Sequence, residues 1–184
     1  VLAGALIGLP PASGTFDIVI QLGAILAVVV LYWRRFMDVL AGLLARDPGA
    51  IAFTRNVLIG FLPSAMVGAV AYSAIKRMLE TPLIVAVALV VGGFAILAIE
   101  RMQRTVTTRS VETMPWRTAL GVGIVQCLSM IPGVSRSGAT IMGALAMGVE
   151  RRAADEYSFF LAIPTMLGAT TLALLKEHEA LAAS

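Results

Sequence analysis

Residues 118–149 decide the fold. Thr118-Ala119-Leu120-Gly121-Val122-Gly123-Ile124-Val125-Gln126-Cys127-Leu128-Ser129-Met130-Ile131 is an apolar arm. Pro132-Gly133-Val134-Ser135-Arg136-Ser137-Gly138 interrupts it, and Ala139–Val149 is apolar again. Each arm has about half of the roughly 20 residues needed to cross a bilayer. A re-entrant hairpin fits: one short helix in, a polar turn at mid-depth, another short helix out. Non-helical backbone at that depth survives only when buried in protein or lining a wet cavity. Arg136 in the turn would cost about 2.5–3.5 kcal/mol or more without a partner.

The rest of the chain supports a membrane setting. Of its 184 residues, 59% are hydrophobic and 14% are charged, against about 25% charged in soluble domains. The net charge of +3 comes from basic residues between apolar runs, as in topology signals, and does not suggest nucleic acid. A single cysteine, Cys127, excludes an internal disulfide and a thiolate metal cluster. It reads as a small buried side chain.

Four spans are expected: Asp17–Trp33, Asn56–Ile75, Leu83–Ile99 and Tyr157–Leu175, with Pro63 and Pro164 inside two of them. Phe36–Arg55 reads as an interfacial amphipathic helix broken at Asp47-Pro48-Gly49. Glu100–Trp116 reads as a polar loop. The arginine-rich loops at 34–55 and 101–117 belong in the cytoplasm, and Lys76–Thr81 outside. The hairpin then enters and leaves from the cytoplasmic side. Asp17–Trp33 and Tyr157–Leu175 run in opposite directions, as in an inverted repeat. The expected fold is all-α: polytopic transmembrane helices with a re-entrant helical hairpin. Residues 1–184 form one integral-membrane domain, with 1–116 the rest of a first repeat and its connecting spans, and 117–175 the second-repeat hairpin and following span.

The turn is built for an oxyanion. Gly133 and Gly138 allow backbone conformations closed to other residues. Ser135, Ser137 and Thr140 supply hydroxyls, and the helix after the turn aims free N–H groups at an anion. Arg136 can hold two phosphate oxygens at once, which lysine could not. The competing reading is a capped structural turn whose arginine snorkels to the interface. Other polar groups are weaker candidates. Asp17 and Gln21 share a helical face and either line a cavity or serve capping and packing. Gln126 and Ser129 lead into the loop and could brace it. Glu156 caps its helix or pairs with Arg152. His178 and the loop carboxylates Asp38, Asp47, Glu80, Glu100, Glu112, Glu150, Glu177 and Glu179 read as solvated charges. Gly92-Gly93, Gly121-x-Gly123 and Gly143-x4-Gly148 read as tight helix packing. No carboxylate pair or acid–histidine pair converges on Arg136. A transporter or flippase for a phosphate-bearing lipid would use the same devices.

Gln126-Cys127-Leu128 with Pro132–Ile141 resembles the second signature of the undecaprenyl-diphosphate phosphatases, the bacitracin-resistance proteins. Phe16–Val28 followed by Trp33-Arg34-Arg35, and Glu156–Pro164, are similar to the same family. The resemblance implies removal of the terminal phosphate from undecaprenyl diphosphate, recycling the lipid carrier for peptidoglycan. It also implies a multi-pass protein of the bacterial inner membrane with a site opening toward the periplasm. By position, Arg136 would be the catalytic clamp, and Ser135, Ser137, Gly138 and Thr140 would join it in binding phosphate. Asp17, Gln21 and Gln126 are candidates for cavity lining. The family's other signature, with a glutamate pair, a serine-rich turn and a histidine, would stand before Val1, and its last spans after Ser184. A divalent cation, Mg or Ca, is implied, with ligands upstream of Val1 and no metal ligand in these residues. The expected partners are a polyprenyl diphosphate lipid, the membrane and a second copy of the chain. These residues alone should hydrolyse little.

Overall fold

The computed structural model describes Gly23 and residues 26–79, 81–102 and 105–182, with side chains as far as Leu172 except at 76 and 79. Asp17, Gln21 and the rest of residues 17–22, with 24 and 25, lie outside the described residues, so about half of the first expected span is described. Residues 26–31 are helical. Six longer helices come after them: α1 Trp33–Leu44, α2 Pro48–Leu79, α3 Pro82–Arg101, α4 Trp116–Gln126, α5 Arg136–Ala146 and α6 Arg151–Ala182. A 3₁₀ turn, Cys127–Met130, ends the inbound arm of the hairpin. The fold is all-α. Among the described residues the strand-like pairing is an isolated bridge between Thr108 and Val149.

The break at Asp47 forms where expected, but the helix after it starts early. Arg46 takes a left-handed φ of 55° just past α1. Asp47 Oδ2 then accepts from Ala50 N at 2.8 Å, and Pro48 opens α2. Nothing between Pro48 and Asn56 stops that helix. The second span therefore begins eight residues earlier than its apolar run, and the amphipathic segment ends at Leu44. Glu100–Trp116 also differs from a simple polar loop: Val111 and Met114 are buried in the core.

Helices α2 and α3 are long and apolar enough to cross a membrane, over Pro48–Ile75 and Pro82–Arg101. Their exposed faces carry Val70 at 89% exposure, Leu83 at 71% and Phe94 at 69%. Such a surface is stable against lipid or other apolar helices, not against water.

The core lies at one end of the bundle. Phe53, Val111, Met114, Ala119, Val122, Ala144, Val149, Tyr157 and Leu161 pack there. Polar groups in it are matched. Asn56 Nδ2 donates to Val111 O at 3.0 Å and Met114 O at 2.8 Å. Tyr157 OH donates to Asn56 O at 2.8 Å. Next to this cluster α2 and α4 cross at Gly60 and Gly123: a Cβ on Gly123 would run into the Gly60 backbone. Gly92 and Gly93 instead have nothing within 4 Å, so the tight packing expected of them is absent among the described residues.

The hairpin forms with two 11-residue arms, α4 and α5. Its tip is farther along than the midpoint. Gly133, at φ 100°, is pressed against the backbone of Val85, in the first turn of α3. At 1.5 Å per residue, the tip lies roughly 5 Å from the Pro82 end of a 20-residue helix. The 3₁₀ turn and the stretch after it carry the chain past the middle, and glycine permits both the left-handed φ and the close approach.

Candidate functional site

Arg136 is the first residue of α5. Ser135 is its N-cap, with Oγ accepting from Gly138 N at 3.1 Å. The cap fixes the helix start one residue before the arginine and leaves the remaining first-turn N–H groups beside it. Arg136 Nη1 is buried and has no hydrogen-bond partner. Unmatched buried donors on a cation are costly, so this atom is what marks Arg136 as a candidate anion-binding group.

Arg136 borders a chamber of 670 Å³ between α2, α6 and the hairpin tip. Phe61, Ala65, Gly68, Tyr72 and Ile75 come from α2, and Met166, Ala169 and Leu172 from α6. Ser64, Ser129, Thr165 and the phenol of Tyr72 are its hydroxyls. One cation against a largely apolar wall suits a ligand with a charged head and an oily body.

The structure divides the predicted set. Arg136 faces the chamber, whereas Ser135, Ser137, Gly138 and Thr140 are not among its lining residues. Ser135 and Ser137 are exposed, with their Oγ atoms 3.4 Å apart. Thr140 is a correction to the picture of a free phosphate donor. It is buried, its Oγ1 bonds Arg136 O at 3.0 Å and Ser137 O at 3.1 Å, and it sits 2.5 Å from Ser158 Oγ on α6. Its helical spacing turns it toward α6. Gln126 is buried behind the chamber, with Nε2 donating to Ser64 Oγ at 3.1 Å and Thr165 Oγ1 at 2.8 Å. Ser64 and Thr165 do not stand out in the sequence. The signal available is a hydroxyl residue directly after each in-helix proline, Pro63 and Pro164.

A second charged cluster lies elsewhere. Arg35 Nε donates to Glu156 Oε1 at 2.7 Å and Arg35 Nη2 to Glu112 Oε1. Its guanidinium lies 5.0 Å from the Phe53 ring centre. Glu156 therefore pairs with Arg35 on α1, not with Arg152. Burial alone would raise the Glu112 carboxyl, but its own backbone N–H, Arg35 and Ser110 outweigh this and hold it below the usual value. Glu112 is thus not a solvated loop charge. Arg151 and Glu100 form an exposed pair at 3.0 Å.

No group of three or more His, Cys, Asp or Glu among the described residues could hold a metal ion. The chamber's described lining contains no carboxylate and no histidine. The described site offers a cation and hydroxyls to an anion, and its described lining holds no carboxylate or imidazole that could act as a general base.

The whole chain is similar to known proteins. The family model described as bacitracin resistance protein BacA matches residues 1–184. An undecaprenyl-diphosphatase of Rhizorhabdus wittichii is 73% identical over 180 residues, covering 97% of this chain and 68% of the relative. One from Sphingopyxis alaskensis is 62% identical over 182 residues, covering 98% and 68%.

Proposed function

Because the chain belongs to the bacitracin-resistance protein BacA family, we propose that its Arg136 loop is the phosphate-gripping part of an undecaprenyl-diphosphate phosphatase site. The reaction is hydrolysis of undecaprenyl diphosphate to undecaprenyl phosphate and phosphate, which recycles a carrier lipid for the cell wall. The lipid transporter considered from the sequence is not favoured, since the relatives above carry a phosphatase name.

The observation that carries the site is Arg136 Nη1, buried and unpartnered at the head of α5 and beside the chamber. A diphosphate oxygen supplies what that atom lacks. In phosphoryl transfer, charge spreads over the oxygens of the moving group, and a fixed cation there lowers the barrier. The free N–H groups at the start of α5 add to it. The apolar walls suit the first isoprene units. Ser135 acts through its cap, which sets the arginine's place. Ser137 can reach the phosphate only by turning its exposed hydroxyl, and Thr140 supports α5 against α6.

We place the attacking group outside the described residues. A divalent cation, Mg or Ca, would neutralise phosphate charge when bound. The described residues do not fit one, so no step runs through it. The family is one of membrane proteins. A multi-pass inner-membrane location, the inverted repeat, the division at residue 116 and a dimer belong to the same proposal, supported by the two apolar helices and the hairpin.

Phosphate release from a C55 diphosphate by the full chain in detergent tests the clamp. Arg136→Ala should lower kcat by about 100- to 1,000-fold. Arg136→Lys should fall less, since it keeps charge without the two-pronged fork. Turnover equal to the parent in both would remove the assignment.

A further inference from the structure

We propose that Gln126 is a positioning residue for the Arg136 chamber, acting by tying the hairpin to the two proline-bearing helices that wall it. This rests on the chamber being the phosphate site.

The proton bookkeeping singles out an amide. Ser64 Oγ donates to Phe61 O at 2.8 Å, and Thr165 Oγ1 donates to Leu161 O at 2.7 Å. Each hydroxyl, on the residue directly after a proline that removes a backbone bond, thereby gives its one hydrogen to its own helix. Both oxygens can then only accept. Gln126 is 1% exposed at the last position of α4, and its Nε2 has two hydrogens, one for each hydroxyl. Reversing the amide would set Oε1 between two oxygens with no hydrogen to offer and leave two amide hydrogens unmatched. In the observed arrangement the only amide atom left over is Oε1, buried without a partner. Gln126 thus joins α2, α4 and α6 at one point. Ser64 and Thr165 line the same chamber as Arg136, and ten residues of chain separate the amide from the arginine.

Leucine has similar bulk and cannot make either bond. Glutamate accepts when ionised and offers one hydrogen when protonated. In the full chain purified in detergent, Gln126→Leu should lower kcat about tenfold while KM stays within about twofold. Gln126→Glu should be low near pH 8, and its kcat relative to the parent should rise as the pH falls toward about 5. A residue that merely stabilised the fold would lower Tm without creating that pH-dependent ratio. If Gln126→Leu does not fold, the pair Ser64→Ala with Thr165→Val removes both acceptors and should show the same loss in kcat. Parallel pH profiles for Gln126→Glu and the parent, or parent-like kcat in Gln126→Leu or the Ser64/Thr165 pair, would overturn the proposal. If Arg136→Ala is inactive and these variants are not affected, only the role of Gln126 fails. If Arg136→Ala is active, the site reading fails first.

Discussion

Arg35 and Arg136 are both partly buried, and their surroundings are opposite. Arg35 is held by two carboxylates and an aromatic ring. Arg136 has a buried Nη1 with no partner. The first lies where α1, the 110–115 loop and α6 meet, beside a core whose polar groups are matched. The second lies at the far end of the hairpin, beside a chamber. Burying a cation is unfavourable until something answers it. At one end the fold supplies the answer, so the arginine stabilises. At the other the described residues supply none, which is why we propose that a ligand does.

The largest effect should separate the two arginines. Arg136→Ala should remove about 100- to 1,000-fold of turnover with Tm unchanged or raised, because an unmatched buried donor disappears. Phosphate release and a thermal melt on one preparation read both quantities. A large drop in Tm would make Arg136 a second Arg35 and erase the contrast.

Next comes Gly123→Ala, aimed at the joint between the two regions. The new Cβ would meet the Gly60 backbone, which cannot swing away as a side chain can. Overpacking of this kind costs about 1–3 kcal/mol. It should displace α4 and with it the hairpin, lowering Tm and kcat together. Gly92→Ala is the control: with open space around it, removing a helix glycine should be neutral or stabilise by up to about 1 kcal/mol. A melt of each variant decides it.

How much can be read from sequence differs between the two ends. Two short apolar arms around Pro132–Gly138 are enough to predict the hairpin, because arm length and turn chemistry are local properties. Arg136 stands out for the same reason: a charge in apolar sequence is visible without a structure. The Arg35 cluster is not legible, since its partners lie 77 and 121 residues away. Charge pattern alone cannot choose among distant carboxylates, so it matches Glu156 to its near neighbour Arg152. The chemistry of Thr140 suggests a phosphate donor, and packing against Ser158 outweighs it. The start of α2 escapes a hydropathy reading because hydropathy marks where a helix becomes apolar, whereas Asp47 and Pro48 mark where it begins.

Arg35→Ala should have the smaller and opposite signature. It leaves Glu112 and Glu156 facing one another without their cation. For a fully buried pair that loss would reach about 3–5 kcal/mol. The side chains here keep a quarter to a third of their exposure, so solvent screening reduces it to about 1–2 kcal/mol. Tm should fall while kcat per folded molecule holds. A fall in kcat at constant Tm would mean that α1 influences the chamber.

The smallest effect sharpens what kind of stability the Arg35 end provides. The Glu112 carboxyl lies below its ordinary value of 4.5 in the folded chain. A depressed carboxyl contributes stability that is fully present above the unfolded-state pKa and is lost as pH falls through the folded value. The parent should therefore lose stability as the pH falls below about 4.5, while neutral conditions leave the contribution intact. Glu112→Gln removes the titrating group. It should be less stable than the parent at neutral pH and approach it in acid, so that the two melting curves converge below the carboxylate range. Arg35, raised from its usual value by the same partners after burial has opposed them, stays charged throughout and adds no slope of its own. Convergence in acid would show that the pair stabilises by charge. A constant offset between Glu112→Gln and the parent at every pH would instead assign the contribution to packing and hydrogen bonding. The contrast with Arg136 would then rest on geometry alone.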